Sequence, residues 1–394
     1  MRIILLSLFS TISLLLTAQL QAGFDAVEAR EMIQLCNSYT YLDLYGSDKE
    51  IIPEGYVKEY TSPSLGMDNV FQVYRHGTIG VINFRGSTTK KTSWLENLYA
   101  SMIPVKGTIE VNERKFKYKV GKDTASAVHA GYMLAISFLE EEVRNQIKRL
   151  NKNGVFDIIL TGHSQGGAIA QLMRAHLEEE PFYRVRNKNN FKVYAFANPM
   201  IGNRSFSNEY AHKFCDDGMS FVILNPDDFV PNMPINFKDG QSWEEQLITL
   251  LTDSDSFDGK EAAIGGFMSF FKGNIESMAK NLSERINKQL MKELGDISMP
   301  SYKQEINYVH TGNVILISPT EYPLELKDSS ILNDKADLKK LKRNEDGTFE
   351  NKSLYKKSSW MLQHKPYNYY TAILKEYFPE EYERLEQKYF VMPK

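Results

Sequence analysis

Between Met133 and Leu150 the apolar residues Met133, Ile136, Leu139, Val143, Ile147 and Leu150 recur every three or four positions. That spacing predicts an amphipathic helix with one face against a core. Asn153-Gly154 stops it, and the run that follows, Val155 to Leu160, is short, apolar and rich in β-branched residues. Such a run suits a strand buried on both faces of a parallel sheet. A second helix is predicted from Gly167 to about Leu177, and Val193–Ala197, Phe221–Leu224 and Val314–Ile317 repeat the buried-strand pattern. Upstream, Val27, Met32, Ile33, Leu35 and Tyr39 mark a surface helix over Ala26–Tyr41, and two strands, Val70–Tyr74 and Ile79–Phe84, flank the turn residues His76 and Gly77. Strands and helices in this alternation predict an α/β fold: a mostly parallel sheet flanked by helices.

One stretch breaks the alternation. From about Phe237 to Pro300, Phe271, Ile275, Met278, Leu282, Ile286, Leu290 and Leu294 line one face of a long helix, opposite a face of mixed charge. A helix made to lie on a lipid surface is more one-sidedly basic, so this segment reads as an inserted helical cap packed on the body. Asp337 to Lys357 is charged, carries turn-forming Asn and Gly, and reads as a mobile loop.

Composition adds a compartment. Residues Ile3–Leu16 form an apolar run behind Arg2, short for a bilayer span and interrupted by Ser7, Ser10 and Ser13, and Leu20-Gln21-Ala22 offers a cleavage site. Residues 1–22 are therefore expected to be a signal peptide, with one α/β domain over 23–394 and a secreted or periplasmic product. The net charge of −3 over 394 residues gives nucleic acid nothing to bind. Cys36 and Cys215 are the only cysteines; an oxidising compartment could bridge them, buried free thiols are the alternative, and two are too few for a thiolate metal site. No cofactor is expected, and no calcium-loop motif is present.

Gly162-His163-Ser164-Gln165-Gly166 fits Gly-x-Ser-x-Gly and falls between a predicted buried strand and a predicted helix, where a nucleophile elbow belongs. A serine hydroxyl is a poor nucleophile without a base, and the base needs a carboxylate to orient it. In this arrangement the chain order is Ser, acid, His, which leaves His310 and His364. His310 lies against the start of a strand, as a structural histidine would; His364 lies between a charged loop and the terminal helix, and is the expected base. For the acid, Asp227 and Asp228 both follow strand Phe221–Leu224 at its carboxyl end, where catalytic groups gather in open α/β sheets. Oxyanion donors are expected from the backbone N–H of Gln165 and from Ser87 in Phe84-Arg85-Gly86-Ser87.

With these residues the chain resembles the class 3 lipase family, the fungal-type triacylglycerol lipases and their bacterial and plant relatives. The motifs run in order through Phe84–Ser87 with Trp94, Val128-His129-Ala130-Gly131-Tyr132, Gly162–Gly167, Phe196–Asn203 and Asn225–Pro231 with Pro234, and end near His364. The resemblance implies an α/β-hydrolase cleaving lipid esters, with Ser164, Asp228 and His364 as triad and Ser87 and Gln165 at the oxyanion. It also implies a short lid helix within Thr88–Pro104 and a structural role for His310. Phospholipases and polar-ester esterases belong to the same family. The sequence departs from the family in Gln165, where Leu is usual, in Ala197-Asn198 for the common Gly-Ser, and in the long insertion.

Overall fold

The β-branched runs become neighbouring strands of one seven-stranded sheet in the computed structural model of the chain. Its described residues are 20–180, 189–234, 278–303, 307–328, 331–332, 341–344, 347–356 and 360–392. The sheet strands are β1 (Val57–Thr61), β2 (Phe71–His76), β3 (Ile79–Phe84), β4 (Asp157–His163), β5 (Asn190–Phe196), β6 (Ser220–Leu224) and β7 (Asn313–Leu316), side by side in chain order. β1, β2 and β3 pair antiparallel, and every pairing from β3 to β7 is parallel. The turn between β2 and β3 holds Gly77 at a φ of 57°, which glycine adopts at little cost.

Helices cover both faces, so the central strands are buried on both sides and mostly apolar, with Asn83, Thr161 and Lys192 among the buried polar exceptions. On one face Val81, Ile159, Tyr194, Phe196 and Ile223 pack with Met32, Ile33 and Leu35 of helix α1 (Ala26–Tyr45) and with residues of the C-terminal helix Pro366–Tyr377. On the other, Ile82, Ile158, Leu160, Val193 and Val222 pack with helices α3 (Ala130–Lys152) and α4 (Gln165–Glu179), and the short helix α2 (Lys91–Leu98) lies beside α3. A mostly parallel sheet flanked in this way, with a serine at the turn from β4 into α4, is the α/β-hydrolase fold.

Several sequence expectations are refined. α1 runs four residues beyond Tyr41 and ends on Gly46, in the left-handed conformation at φ 70°; Val27, expected on its apolar face, is exposed. Lys106–Val111 pairs antiparallel with Arg114–Lys119 on one side and with Ile297–Ser298 on the other, a small separate sheet that the sequence pattern did not suggest. Cys36 and Cys215 are buried free thiols, and burial pushes their pKa values up to about 12 and about 11.

Within the expected cap, residues 235–277 lie outside the described residues, Phe271 and Ile275 among them. The short helix α5 (Arg204–Tyr210) lies well upstream of the cap; the described part of the cap forms α6 (Met278–Leu294), whose Ile286 and Leu290 are buried in the main core beside α2. In the charged segment 337–357, the described part is pinned by an Arg343–Phe349 bridge and by the buried rings of Phe349 and Tyr355. At the other end, Leu20 is buried, Lys192 donates to the Gln21 carbonyl at 2.8 Å, and the Gly23 N–H donates to Gly218 O at 2.8 Å. Residues just ahead of the expected cleavage point thus touch the body; the apolar run itself lies outside the described residues. Among the described residues no helix is long and apolar enough to cross a membrane.

Candidate active site

β4 ends at His163 and α4 begins at Gln165, so Ser164 makes the whole turn between them. Its backbone sits at φ 58° and ψ −130°, a sparsely populated conformation for a residue with a side chain. Two flanking glycines make that turn possible by close approach. A Cβ on Gly162 would stand 2.3 Å from the carbonyl carbon of Gly166, and one on Gly166 would stand 2.1 Å from Phe84 O. The Ser164 N–H donates to Phe196 O on β5 at 2.8 Å, which anchors the turn to the sheet.

His364 follows the one-turn helix α7 (Trp360–Gln363) and precedes α8 (Pro366–Tyr377). Gln363 brackets it, accepting from Asn225 Nδ2 at 2.8 Å and donating to Thr320 O at 2.8 Å. The imidazole reaches Ser164 Oγ with Nε2 at 2.8 Å and Asp228 Oδ2 with Nδ1 at 2.7 Å. Of the two candidate aspartates, Asp228 is the one turned inward and buried, while Asp227 is exposed. Asp228 Oδ1 accepts from the Val230 N–H at 3.0 Å, and Oδ2 accepts also from the hydroxyl of Tyr369 at 2.8 Å. Burial, reinforced by the neighbouring Asp228 charge, holds the Tyr369 phenol well above its ordinary pKa, so it remains a donor. His310 lies elsewhere, partly buried, with its carbonyl accepting from Ser207 Oγ at 2.9 Å.

A second imidazole lies against the first. The ring of His163 sits 4.7 Å from that of His364. Burial, and then the positive charge His364 can carry, hold the pKa of His163 well below the ordinary range, so it packs as a neutral ring.

Ser87, on the loop after β3, accepts from Asn97 Nδ2 at 2.8 Å. Asn97 lies on α2 and is itself fixed, since its Oδ1 accepts from the hydroxyl of Tyr132 at 3.0 Å. With Asn97 donating to one of its lone pairs, the Ser87 hydroxyl keeps its own hydrogen for another acceptor. The loop is clamped from below by Asp68, which accepts from Thr88 Oγ1 at 2.8 Å and pairs with Arg85 at 3.0 Å and Lys90 at 2.7 Å. The expected lid region therefore holds α2, with Leu95 buried under it. The Gln165 side chain is buried rather than turned to solvent, and its Oε1 accepts from Ser93 Oγ of α2 at 3.1 Å.

Tyr369, Asn97 and Glu96 of α2 were not singled out from the sequence. The one signal was indirect: a polar Gln165 where the resemblance expects Leu calls for a polar partner. Among the described residues, one group has metal-ligand types in reach of one another, Glu140, His176 and Glu180. Arg144 already pairs with both of its carboxylates, at 3.0 Å from Glu140 and 3.2 Å from Glu180.

Comparison with known proteins gives this geometry a setting. The chain is 31% identical over 140 residues to a secreted mono- and diacylglycerol lipase of Fusarium solani, across 34% of this chain and 39% of that protein. It is 27% identical over 164 residues to the galactolipase DONGLE of Arabidopsis thaliana, across 39% of this chain and 33% of that one. The chain thus spans well under half the length of these curated relatives. Among solved structures, Rhizomucor miehei triacylglyceride lipase superposes with a TM-score of 0.40 at 20% identity, covering 55% of this chain and 77% of that one. The family model for class 3 lipases matches residues 81–238, the stretch from β3 through the elbow to just past Asp228. Over that stretch the chain is similar to the class 3 lipase family.

Proposed function

We propose that the protein hydrolyses carboxylic esters of lipids, acylglycerols first among them, through an acyl-enzyme on Ser164. The observation that carries this reading is the unbroken hydrogen-bonded series from Ser164 Oγ through His364 to the buried Asp228. His364 takes the Ser164 proton as Oγ attacks the ester carbonyl carbon, and Asp228 holds the imidazole in the tautomer that accepts at Nε2. As the tetrahedral intermediate collapses, the carbon–oxygen bond to the alcohol breaks and His364 returns the proton to the leaving alcohol. A water then repeats the sequence on the acyl-serine, giving its proton to His364, and the free acid leaves with Ser164 restored.

The negative charge on the intermediate falls to the backbone N–H of Gln165 and to Ser87, whose hydroxyl hydrogen is left available by Asn97. The chemistry as drawn requires no cofactor.

Acylglycerol is favoured because the Fusarium relative is named for mono- and diacylglycerol. The galactolipase and the chloroplastic phospholipase A1 among the relatives support a second reading, acyl hydrolysis of a polar lipid. Incubating the protein with diacylglycerol, triacylglycerol, phosphatidylcholine and monogalactosyl diacylglycerol, and measuring fatty acid released, separates the two. Release from neutral glycerides supports the first; release confined to the polar lipids overturns it. We also read residues 1–22 as a secretion signal, which N-terminal sequencing of the exported protein tests.

A further inference from the structure

We propose that Tyr132 is a positioning residue for the oxyanion: its hydroxyl fixes which way round the Asn97 amide sits, and through that amide keeps the Ser87 hydrogen free for the developing charge. The proposal rests on the esterase reading above. A side-chain amide can present either its oxygen or its NH2 to a neighbour, and the two senses act oppositely on a hydroxyl. With Nδ2 toward it, Ser87 accepts and keeps its own hydrogen. With Oδ1 toward it, Ser87 gives that hydrogen to Asn97 and has none left for the intermediate.

Three bonds fix the first sense. Tyr132, in the first turn of α3, donates its hydroxyl to Asn97 Oδ1 at 3.0 Å. Nδ2 is thereby turned to the other side, where it donates to Ser87 Oγ at 2.8 Å and to the Ser93 carbonyl at 3.2 Å. In the reverse sense Oδ1 would face the Ser93 carbonyl, and the buried Tyr132 hydroxyl would lose the only acceptor it has among the described residues.

The phenol is held in turn by its neighbour at the N-cap of α3. The ring of His129 stacks on that of Tyr132, 3.9 Å away and inclined by 19°. Its Nδ1 accepts from the Tyr132 N–H at 3.3 Å, which leaves the ring hydrogen on Nε2 to donate to the Asn97 carbonyl at 3.2 Å. Burial lowers the His129 pKa to about 3, so the ring stays neutral and keeps this tautomer. Burial also holds the Tyr132 phenol well above its ordinary pKa, so it stays a donor. The start of α3 thus grips both the backbone and the side chain of Asn97. Tyr132→Phe would keep the ring and its stacking and remove only the hydroxyl.

The test compares wild type, Tyr132→Phe, Ser87→Ala and the double variant Tyr132→Phe/Ser87→Ala on a nitrophenyl ester, with melting temperatures alongside. Inhibition of each by an alkyl trifluoromethyl ketone is measured as well. Ser164 Oγ adds to the ketone carbonyl carbon, its proton passes to His364, and the charge rests on the former carbonyl oxygen, as in the tetrahedral intermediate. Tyr132→Phe should lower kcat about fivefold to tenfold, the worth of one hydrogen bond, with KM within about twofold. The inhibition constant for the ketone should rise by the same factor, a shift that lost packing alone would not produce. In the Ser87→Ala background Tyr132→Phe should cost nothing further. An unchanged kcat in Tyr132→Phe, an unchanged ketone inhibition constant beside a lowered kcat, or an equal loss with and without the Ser87 hydroxyl overturns the positioning role while the esterase reading stands. A wild type that cleaves no ester overturns the esterase reading and this role together, so the two failures are distinct.

Discussion

The hydroxyl of Tyr369 donates to the same carboxylate oxygen, Asp228 Oδ2, that receives Nδ1 of His364. Tyr369 lies in the first turn of α8, five residues after the histidine, so one short stretch of chain supplies both donors to the buried acid. The Asn225 N–H donates to the same phenol at 3.2 Å, which ties the loop after β6 to α8 and fixes Asp228 from two sides. Asp228 cannot swing away from His364 without breaking these bonds.

Removing the phenol should therefore loosen the proposed triad of Ser164, His364 and Asp228 without deleting any member of it. Tyr369→Phe gives up a hydrogen bond to a charged group, a class worth about 1.5–3 kcal/mol. The expected result is a kcat/KM lower by about tenfold, since part of that loss falls on stability instead. Steady-state kinetics with a melting curve on the same sample checks it. Unchanged kinetics would show that Asp228 is held well enough by Val230 and His364 alone.

Asn97 sets the direction of the Ser87 hydroxyl. Loss of one oxyanion donor typically costs about a hundredfold to a thousandfold in kcat, the loss expected for Ser87→Ala. Asn97→Ala leaves the hydroxyl in place but free to rotate, so its cost should be smaller. In the Ser87→Ala background Asn97→Ala should cost little more, because residues acting through one another are not additive. Measuring kcat for the two single variants and the double completes the cycle; additive losses would separate the two residues.

How much of this was legible in the sequence depends on the distance over which each feature is determined. The elbow was readable because its requirement is local: Gly162 and Gly166 flank Ser164 within five positions, and the strand before and helix after it carry their own periodicity. His364 emerged by chain order, and Asp228 over Asp227 only through the family resemblance; the structure places Asp228 beside His364 and leaves Asp227 exposed. Tyr369, Asn97 and Glu96 were invisible because each acts through a contact with a residue far along the chain, and nothing in its own neighbourhood distinguishes it. The hairpin of Lys106–Val111 and Arg114–Lys119 was missed for another reason. Phe116 and Tyr118 alternate inward, but lysines and an arginine occupy most other positions of the second strand and mask the pattern.

The buried carboxyl of Glu96 should leave a mark on stability. Its folded pKa, pushed up to about 8, lies above the 4.5 of an unperturbed glutamate, so the unfolded chain releases the proton first. Its contribution to stability is whole below pH 4.5, declines as pH rises from there to about 8, and is constant beyond. The slope from this one group is at most about 1.4 kcal/mol per pH unit. Urea unfolding at a series of pH values should show the decline in wild type and a flatter profile in Glu96→Gln. Parallel profiles would mean that the carboxyl is ionised in the folded protein at neutral pH.

The central claim is that Ser164 carries the acyl group during lipid ester hydrolysis. Its most direct test is the rate of hydrolysis of nitrophenyl esters of increasing acyl length, as monomers and as micelles, by wild type and Ser164→Ala side by side. The account predicts turnover by wild type that persists with long acyl chains and falls by about a millionfold, to background, in the variant, as removal of a triad serine does elsewhere. Equal rates in the two proteins, or no hydrolysis of any ester by wild type, would contradict it.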